Sequence, residues 1–581
     1  MSTRPFKCSK MSSRRCSTTM YDVVFVNATV VDGSGASRYQ ADVAIDGSRI
    51  AAIGDAKTMQ GRLLVDASNL VLAPGFIDFH SHAEWNLTLP DQEEFLLPFL
   101  RQGVTTFVGG NCGFSPYPVD RHTKDLVLAN SQFLTNEAFE FAWETQKEFT
   151  DMVSRSGTLL NVALLTGHGS LRSLLKGNDP APISPFEYSQ MVYLIHQAKE
   201  SGSYGISLGL SYIPSMFADM EELRCVFAAA AREDLIVTIH GHTYSWISPF
   251  FTDTTDSDKP AVAHNVRDIE LFIKLAKEEG TKLHLSHVLL KGRKTWETLS
   301  SVLDTIDRAV GDGCDITFGV IPYHWGNTLI KTLLPNWFLE DFDRNSKDSG
   351  AVARLGRELL EMEAKIGRTS DDLILLWGGE SDALAPFEGK TFRQIAQEKS
   401  IGEIETILWI IDESDGKARI LTASYSGQEG VYSDPLHKLL GHPRSIVEID
   451  AIVTDTSGPQ TPAASGAFPR LLGTYCRKNH LFSLEQAVHK ITGKPAERLG
   501  LVDRGRITVG AIADLVLFDP DRIAEHTSTG QPSSDGDGPT TVHVEQGTGP
   551  VGIEQVWMGG TKVVEKGKNV LKKRIGAVII N

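Results

Sequence analysis

The chain of 581 residues is poor in cysteine. Its six thiols (Cys8, Cys16, Cys112, Cys225, Cys314 and Cys476) lie scattered, without close pairing in the part that carries apolar patterning. A disulfide framework is therefore not expected, and a reducing, cytoplasmic setting is. Long hydrophobic runs are also missing. None is long enough to cross a bilayer, so no membrane partner is expected. Cations are in deficit, with 57 Lys and Arg against 73 Asp and Glu and a net charge of −16. That balance argues against a nucleic-acid partner, which would want a clustered basic face. What remains is 41% hydrophobic and 22% charged, the composition of a folded protein with a large core.

Residues 1–20 stand apart. They carry Arg4, Lys7, Lys10, Arg14 and Arg15 but no acid, and no apolar stretch of the secretory kind. A disordered tail is expected there, with a mitochondrial transit segment as the alternative.

From Tyr21 to about residue 72, short apolar runs alternate with turns. Asp22–Val26, Val43–Ile45 and Ile50–Ile53 read as strands, and Asp46-Gly47 as a hairpin turn. The texture returns in Leu515–Phe518 and Val556–Gly560. Residues 21–72 and 500–581 are thus expected to build one small β-sandwich domain from both ends of the chain.

Between them, from 73 to 499, buried strands alternate with helical stretches. The strand candidates are Gly75–His82, Thr105–Gly109, Leu160–Leu165, Tyr204–Leu208, Ile236–His240, Lys282–His287, Asp315–Ile321 and Ile452–Asp455. Helical periodicity marks Met220–Arg232 and Val266–Glu278. Eight β-then-α units predict a (β/α)₈ TIM barrel in an α/β protein, with an open sheet as the alternative. The span far exceeds the roughly 250 residues of an ordinary barrel. An insertion between about 325 and 450, including a helix at Val352–Ile366, accounts for the excess and is expected to cover the substrate. The Ser/Gly/Asp-rich run Thr527–Gly538 reads as a surface loop.

The chemistry starts at Phe76-Ile77-Asp78-Phe79-His80-Ser81-His82. Strand side chains alternate, so Asp78, His80 and His82 share a face, and three buried polar groups need a partner. Two imidazoles at i and i+2 can grip one metal ion. Cys112 follows the second strand candidate, His240 and His287 end the fifth and sixth, and Asp455 ends the eighth. In a barrel these ends converge on one mouth. Singly each has a plainer reading: Cys112 as a small buried hydrophobe, the histidines as core residues, Asp455 as a helix cap. Together they compose a two-metal site.

The stretch Ala73-Pro74-Gly75-Phe76-Ile77-Asp78-Phe79-His80-Ser81-His82 resembles the opening signature of the amidohydrolase superfamily, and Gly505–Val516 resembles its closing one. Gly109–Ser115 around Cys112, Gly205–Tyr212 and Phe468-Pro469-Arg470 are similar to the N-acyl-D-amino-acid deacylases (D-aminoacylases). The resemblance implies a tightly bound Zn²⁺ on Cys112, His240 and His287. It also implies a second, weaker position on His80 and His82 that shares Cys112, with Asp455 as the acid that activates water. The family follows its catalytic aspartate with His-Pro-Arg, whose arginine holds the substrate carboxylate. Here the stretch Gly458–Ala467 has no cation, and His442-Pro443-Arg444 precedes Asp455. The family places a lysine two residues after the histidine matched by His287, whereas here it is delayed to Lys291, so either Lys291 or Arg293 substitutes for the clamp or the substrate is not an ordinary N-acyl-D-amino acid. Tyr212 and Tyr323 are candidates to line the pocket. His168 is expected to support the site from behind, and His240 rather than His242 to be the ligand. His196 and His264 read as structural or solvated, and Arg293-Lys294 as a surface turn.

The expected function is zinc-dependent hydrolysis of a linear amide, in an N-acyl-D-amino acid or a related small molecule. Cyclic-amide hydrolysis and a non-catalytic scaffold are the alternatives. The first is disfavoured by Cys112 in place of a carboxylated lysine, the second by the full set of ligands.

Overall fold

The computed structural model describes residues 20–581 apart from 55–58, 137, 249, 252–261, 340, 380, 423–424, 428–432, 455–460, 526–548 and 572. Residues 1–19 of the predicted tail, the loop Thr527–Gly538 and Asp455 itself lie outside the described residues, while Met20 opens the first strand of the chain.

Eight parallel strands make the barrel: β1 (Phe76–Asp78), β2 (Val104–Gly109), β3 (Asn161–Gly167), β4 (Gly205–Gly209), β5 (Ile236–His240), β6 (Lys282–Leu285), β7 (Ile316–Val320) and β8 (Ser445–Val447). Every residue of β2, β3 and β4 is buried, as expected of strands covered by side chains on one face and helices on the other. The intervening helices follow the sequence reading closely. Met220–Arg232 is capped by Asp219, whose carboxylate accepts from the Glu222 amide, and Pro185–Glu200 opens with a Ser184/Glu187 capping box.

The ladder does not run from β8 back to β1. The seam is instead closed just beyond both strands. The Asp450 amide donates to the His80 carbonyl (2.9 Å), the His82 amide to the Ala451 carbonyl (3.3 Å), and the Ile449 amide to the Asp78 carboxylate (3.0 Å).

The expected eighth strand, Ile452–Asp455, requires correction. Two apolar segments lie within ten residues of each other. It is Ser445–Val447 that pairs with β7, through Phe318↔Ser445, Gly319↔Ile446 and Val320↔Val447. Partner register, not local pattern, decides which of two such segments joins a sheet.

A nine-stranded sheet unites both ends of the chain. Its order is Lys568–Asn569, Thr561–Glu565, Ile553–Met558, Leu515–Phe518, Val71–Pro74, Met20–Val30, Tyr39–Asp46 and Arg49–Gly54, with Gln60–Asp66 also alongside Met20–Val30. Phe25 and Trp557 sit three strands apart in that order, about 14 Å on a flat sheet. Their rings nevertheless meet edge to face at 5.3 Å. The sheet therefore curls over a core of its own that includes Phe25, Ile45, Leu72, Leu515 and Trp557. One expected boundary changes here. The last residues do not belong to this sheet, because Val578–Ile579 adds parallel to β3, with Val578 opposite Val162. A two-residue strand carries no sequence signal strong enough to show such a long-range pairing.

Between β7 and β8 the chain builds a three-stranded sheet, Gly326–Leu329, Arg419–Thr422 and Leu373–Trp377. Helices including Ser349–Ile366 cover it, around a separate core of Phe338, Leu355, Ile395 and Ile410. Among the described residues no helix is long and apolar enough to cross a membrane.

Candidate metal centre and active site

At the C-terminal mouth of the barrel one thiol is surrounded by imidazoles. Cys112 Sγ lies 3.2 Å from His80 Nε2 and 3.5 Å from both His240 Nδ1 and His287 Nε2. The two latter nitrogens are 3.1 Å apart. His82 Nε2 stands 3.7 Å from Asp450 Oδ1, and His80 Nε2 stands 3.5 Å from the same oxygen. All five predicted ligands are thus brought together. The donor atoms of His80, Cys112 and His287 lie within 4.8 Å of one another, and so do those of His80, His82 and Asp450.

The chain holds this geometry against resistance. Cys112 (φ 53°), His287 (φ 31°) and Asp450 (φ 49°) all have left-handed backbones, which side chains with a Cβ adopt reluctantly. The Cys112 turn is pinned from several sides. Asn111 Nδ2 donates to the Val108 carbonyl (2.9 Å), the Gly113 amide to Ser207 Oγ (3.0 Å), and Ser207 Oγ to the Gly110 carbonyl (2.5 Å). Behind it, His168 joins Ser215 (3.0 Å) to Glu222 (2.9 Å), and Arg172 completes the buried cluster.

Burial pushes the His80 and His240 imidazoles well below their ordinary range, the mutual repulsion of neighbouring histidines adds to it, and burial takes His82 to about 4. Uncharged imidazoles offer lone pairs. The same burial, with the nearby carboxylates, pushes the Cys112 thiol well up, and a cation beside the sulfur would favour the thiolate. The buried Nδ1 atoms of His80 and His82 have no hydrogen-bond partner among the described residues. Four imidazoles, a thiol and a carboxylate converging in this way fit a transition metal of the zinc class, and thiolate and imidazole are poor ligands for magnesium or calcium.

Asp455 lies outside the described residues. Among the described ones, the carboxylate at the cluster is Asp450, which sequence reading passed over. The signal was present: Glu448 and Asp450 alternate at the end of β8 as Asp78, His80 and His82 do at the end of β1. Glu448 is fully buried, with Oε1 2.7 Å from His284 Nε2 and Oε2 accepting from the His287 amide (3.1 Å). Burial raises its carboxyl to about 8 and depresses His284.

Of the pocket candidates, Tyr212 is at the site, its ring 4.7 Å from that of His240. Tyr244, not anticipated, brings its hydroxyl to 3.1 Å from His287 Nδ1. Tyr425 comes from the insertion and bridges to Lys291 through the backbone. Tyr323 is committed elsewhere, its hydroxyl on Glu525 (2.5 Å). Lys291 is half-buried, and desolvation lowers its ammonium to about 8. Arg293 is not a free surface cation. It pairs with Asp372 at 2.5 Å, which joins the barrel to the insertion. His242 is held by Asp268 (2.6 Å), His196 pairs with Glu233 (3.1 Å), and His264 is buried at the head of helix His264–Glu279.

The model of the amidohydrolase family matches residues 431–564. The chain is 29% identical to the D-aminoacylase of Alcaligenes xylosoxydans xylosoxydans over 540 residues, covering 93% of this chain and 96% of that protein. To the N-acyl-D-aspartate deacylase of the same organism it is 27% identical, covering 96% and 95%. Among solved structures, it resembles the N-acyl-D-glutamate deacylase of Bordetella bronchiseptica, complexed with zinc and a phosphonate inhibitor. There the TM-score is 0.72 and the identity 25%, over 97% of this chain and all of that one. The chain thus resembles the amidohydrolase family over residues 431–564 and the D-aminoacylases and N-acyl-D-amino-acid deacylases over nearly its whole length.

Proposed function

We infer that the protein is a zinc-dependent deacylase that hydrolyses the linear amide of an N-acyl-D-amino acid or a closely related N-acyl compound. The observation that carries this reading is the Asp450 carboxylate, set 3.5 Å from His80 Nε2 and 3.7 Å from His82 Nε2 beside a buried thiol. Cys112, His240 and His287 would hold the tighter ion, and His80 and His82, sharing Cys112, a weaker one. Zinc in such a site lowers the pKa of its water to about 7 and polarises the amide oxygen.

The chain's own residues supply the rest. Asp450, partly open to the mouth, accepts the proton that the attacking water loses and returns it to the departing nitrogen. Its backbone bond to the His80 carbonyl fixes that carboxylate on the seam. Tyr244 holds the far nitrogen of His287, so the near nitrogen stays turned inward. Tyr212 walls the mouth against His240. Lys291 is the cation that supports binding of a free carboxylate. No acid within hydrogen-bond distance of its ammonium is found among the described residues, and the stretch Gly458–Ala467 carries no cation.

A panel of N-acetyl-D-, N-acetyl-L- and carboxylate-blocked amino acids tests the reading. Turnover is expected with the D series and a free carboxylate. Cleavage confined to blocked or L substrates would refute it.

A further inference from the structure

We propose that Glu448 is a positioning residue of the metal centre, orienting two of its ligands at once from beneath. The inference rests on the metal reading above but adds a residue that touches neither substrate nor reacting atoms.

The geometry is specific. His80 turns Nε2 toward Cys112 (3.2 Å) and Asp450 (3.5 Å), so Nδ1 points down into the barrel. What lies there is Glu448 Oε2, at 4.0 Å. Nδ1 is buried and has no hydrogen-bond partner among the described residues. A ligand histidine that presents Nε2 outward must carry its proton on Nδ1, and at 4.0 Å the carboxyl oxygen below favours that tautomer and ring orientation electrostatically rather than through a hydrogen bond. The same Oε2 already accepts the His287 amide (3.1 Å), which steadies a residue whose backbone is left-handed. Oε1 is anchored on His284, which is fixed in turn by Thr317 at 2.8 Å.

The barrel is also shaped to admit this side chain. Gly319, on the neighbouring strand β7, would place a Cβ 1.8 Å from Glu448 Oε2. Glycine at 319 therefore opens the slot that the carboxyl fills. A buried carboxyl with no apolar reason to be there, a glycine making room for it, and two metal ligands above it form one device.

The test compares wild type, Glu448→Leu, Glu448→Gln and Gly319→Ala, with zinc affinity from chelator competition and apo-protein melting recorded for each. Glutamine keeps an acceptor for His80 and His287 and a donor for His284, so its affinity should stay within about threefold of wild type. Leucine should weaken zinc binding about 10- to 100-fold, the usual effect of losing a group that orients a ligand. Gly319→Ala, which displaces the carboxyl without removing it, should do the same, and should have little further effect in the Glu448→Leu background. A merely structural role would lower apo melting while leaving the affinity of the folded protein unchanged, and that result overturns the proposal. If Glu448→Leu does not fold, Gly319→Ala and Glu448→Gln decide. Wild-type affinity in Gly319→Ala, or a glutamine variant as weak as expected for leucine, overturns it equally. A wild type that binds no zinc would instead remove the metal reading itself, so the two failures are distinguishable.

Discussion

Asp450 donates its backbone N–H to the carbonyl of His80 at 2.9 Å, while its carboxylate stands 3.5 Å from Nε2 of the same histidine. One residue thus closes the barrel seam and faces the metal ligands across it. Replacing its carboxylate with an amide leaves the seam bond intact and removes the proton acceptor. Asp450→Asn should therefore retain metal and fold, and lose turnover by about 10²- to 10⁴-fold. Asp455→Asn, at the acid that the family resemblance names as the activator of water, is measured beside it. Steady-state kinetics with metal analysis on both proteins decides between the two carboxylates. If the loss appears in Asp455→Asn instead, Asp450 is a structural residue.

Cys112 contacts three imidazoles within 3.5 Å, so its removal takes the one ligand shared by both metal positions. Cys112→Ala should purify with well under half the wild-type zinc and with turnover near background. Elemental analysis of the dialysed protein measures it directly. A variant that kept one zinc per chain would move the tight site onto other residues.

The sequence showed the barrel because seven of its strands are short apolar runs ending in chemistry-bearing residues, and the 3.6-residue period marks the helices between them. His80, His82, Cys112, His240 and His287 were legible because each sits where such a run stops. Asp450 was not, since Ser445–Ile449 and Ala451–Val453 look alike locally and only pairing with β7 selects the first. Glu448 and His284 were hidden for a related reason. A buried acid and a buried imidazole each look like an anomaly alone, and become a pair only when β6 and β8 meet inside the closed barrel. Tyr425 returns to the mouth from the insertion, a distance in sequence that no periodicity spans.

Lys291 gives the site a pH dependence with a definite sign. Burial lowers its ammonium to about 8, so it is a cation below that pH and neutral above it. If it binds the substrate carboxylate, KM for a free acid should be flat up to about pH 7 and rise above 8, while KM for the methyl ester should not. Lys291→Met should start with a KM raised about tenfold or more for the acid and show no further rise. Kinetics over pH 6–10 with both substrates provide the check. Equal behaviour of acid and ester in wild type would assign carboxylate recognition elsewhere.

Arg470, in the Phe468-Pro469-Arg470 stretch, is nearly fully buried and holds Glu525 at 2.5 Å, with its guanidinium stacked 4.7 Å over the Tyr323 ring. The same Glu525 accepts the Tyr323 hydroxyl. The three side chains therefore lock β7's exit loop to the helix Ala463–Arg470 and to the segment leaving the terminal sheet. This arrangement gives Arg470 a structural part, since its charge is already matched. Arg470→Met keeps the bulk over Tyr323 but leaves a mostly buried carboxylate without its cation, a change that costs about 3–5 kcal/mol when it breaks a buried pair. Chemical denaturation should show that loss, and kcat per folded molecule should hold within about threefold. Adding Glu525→Gln to the same chain should recover part of the stability, because the uncompensated charge is then gone. A collapse of kcat in Arg470→Met with unchanged stability would instead place the guanidinium in substrate binding.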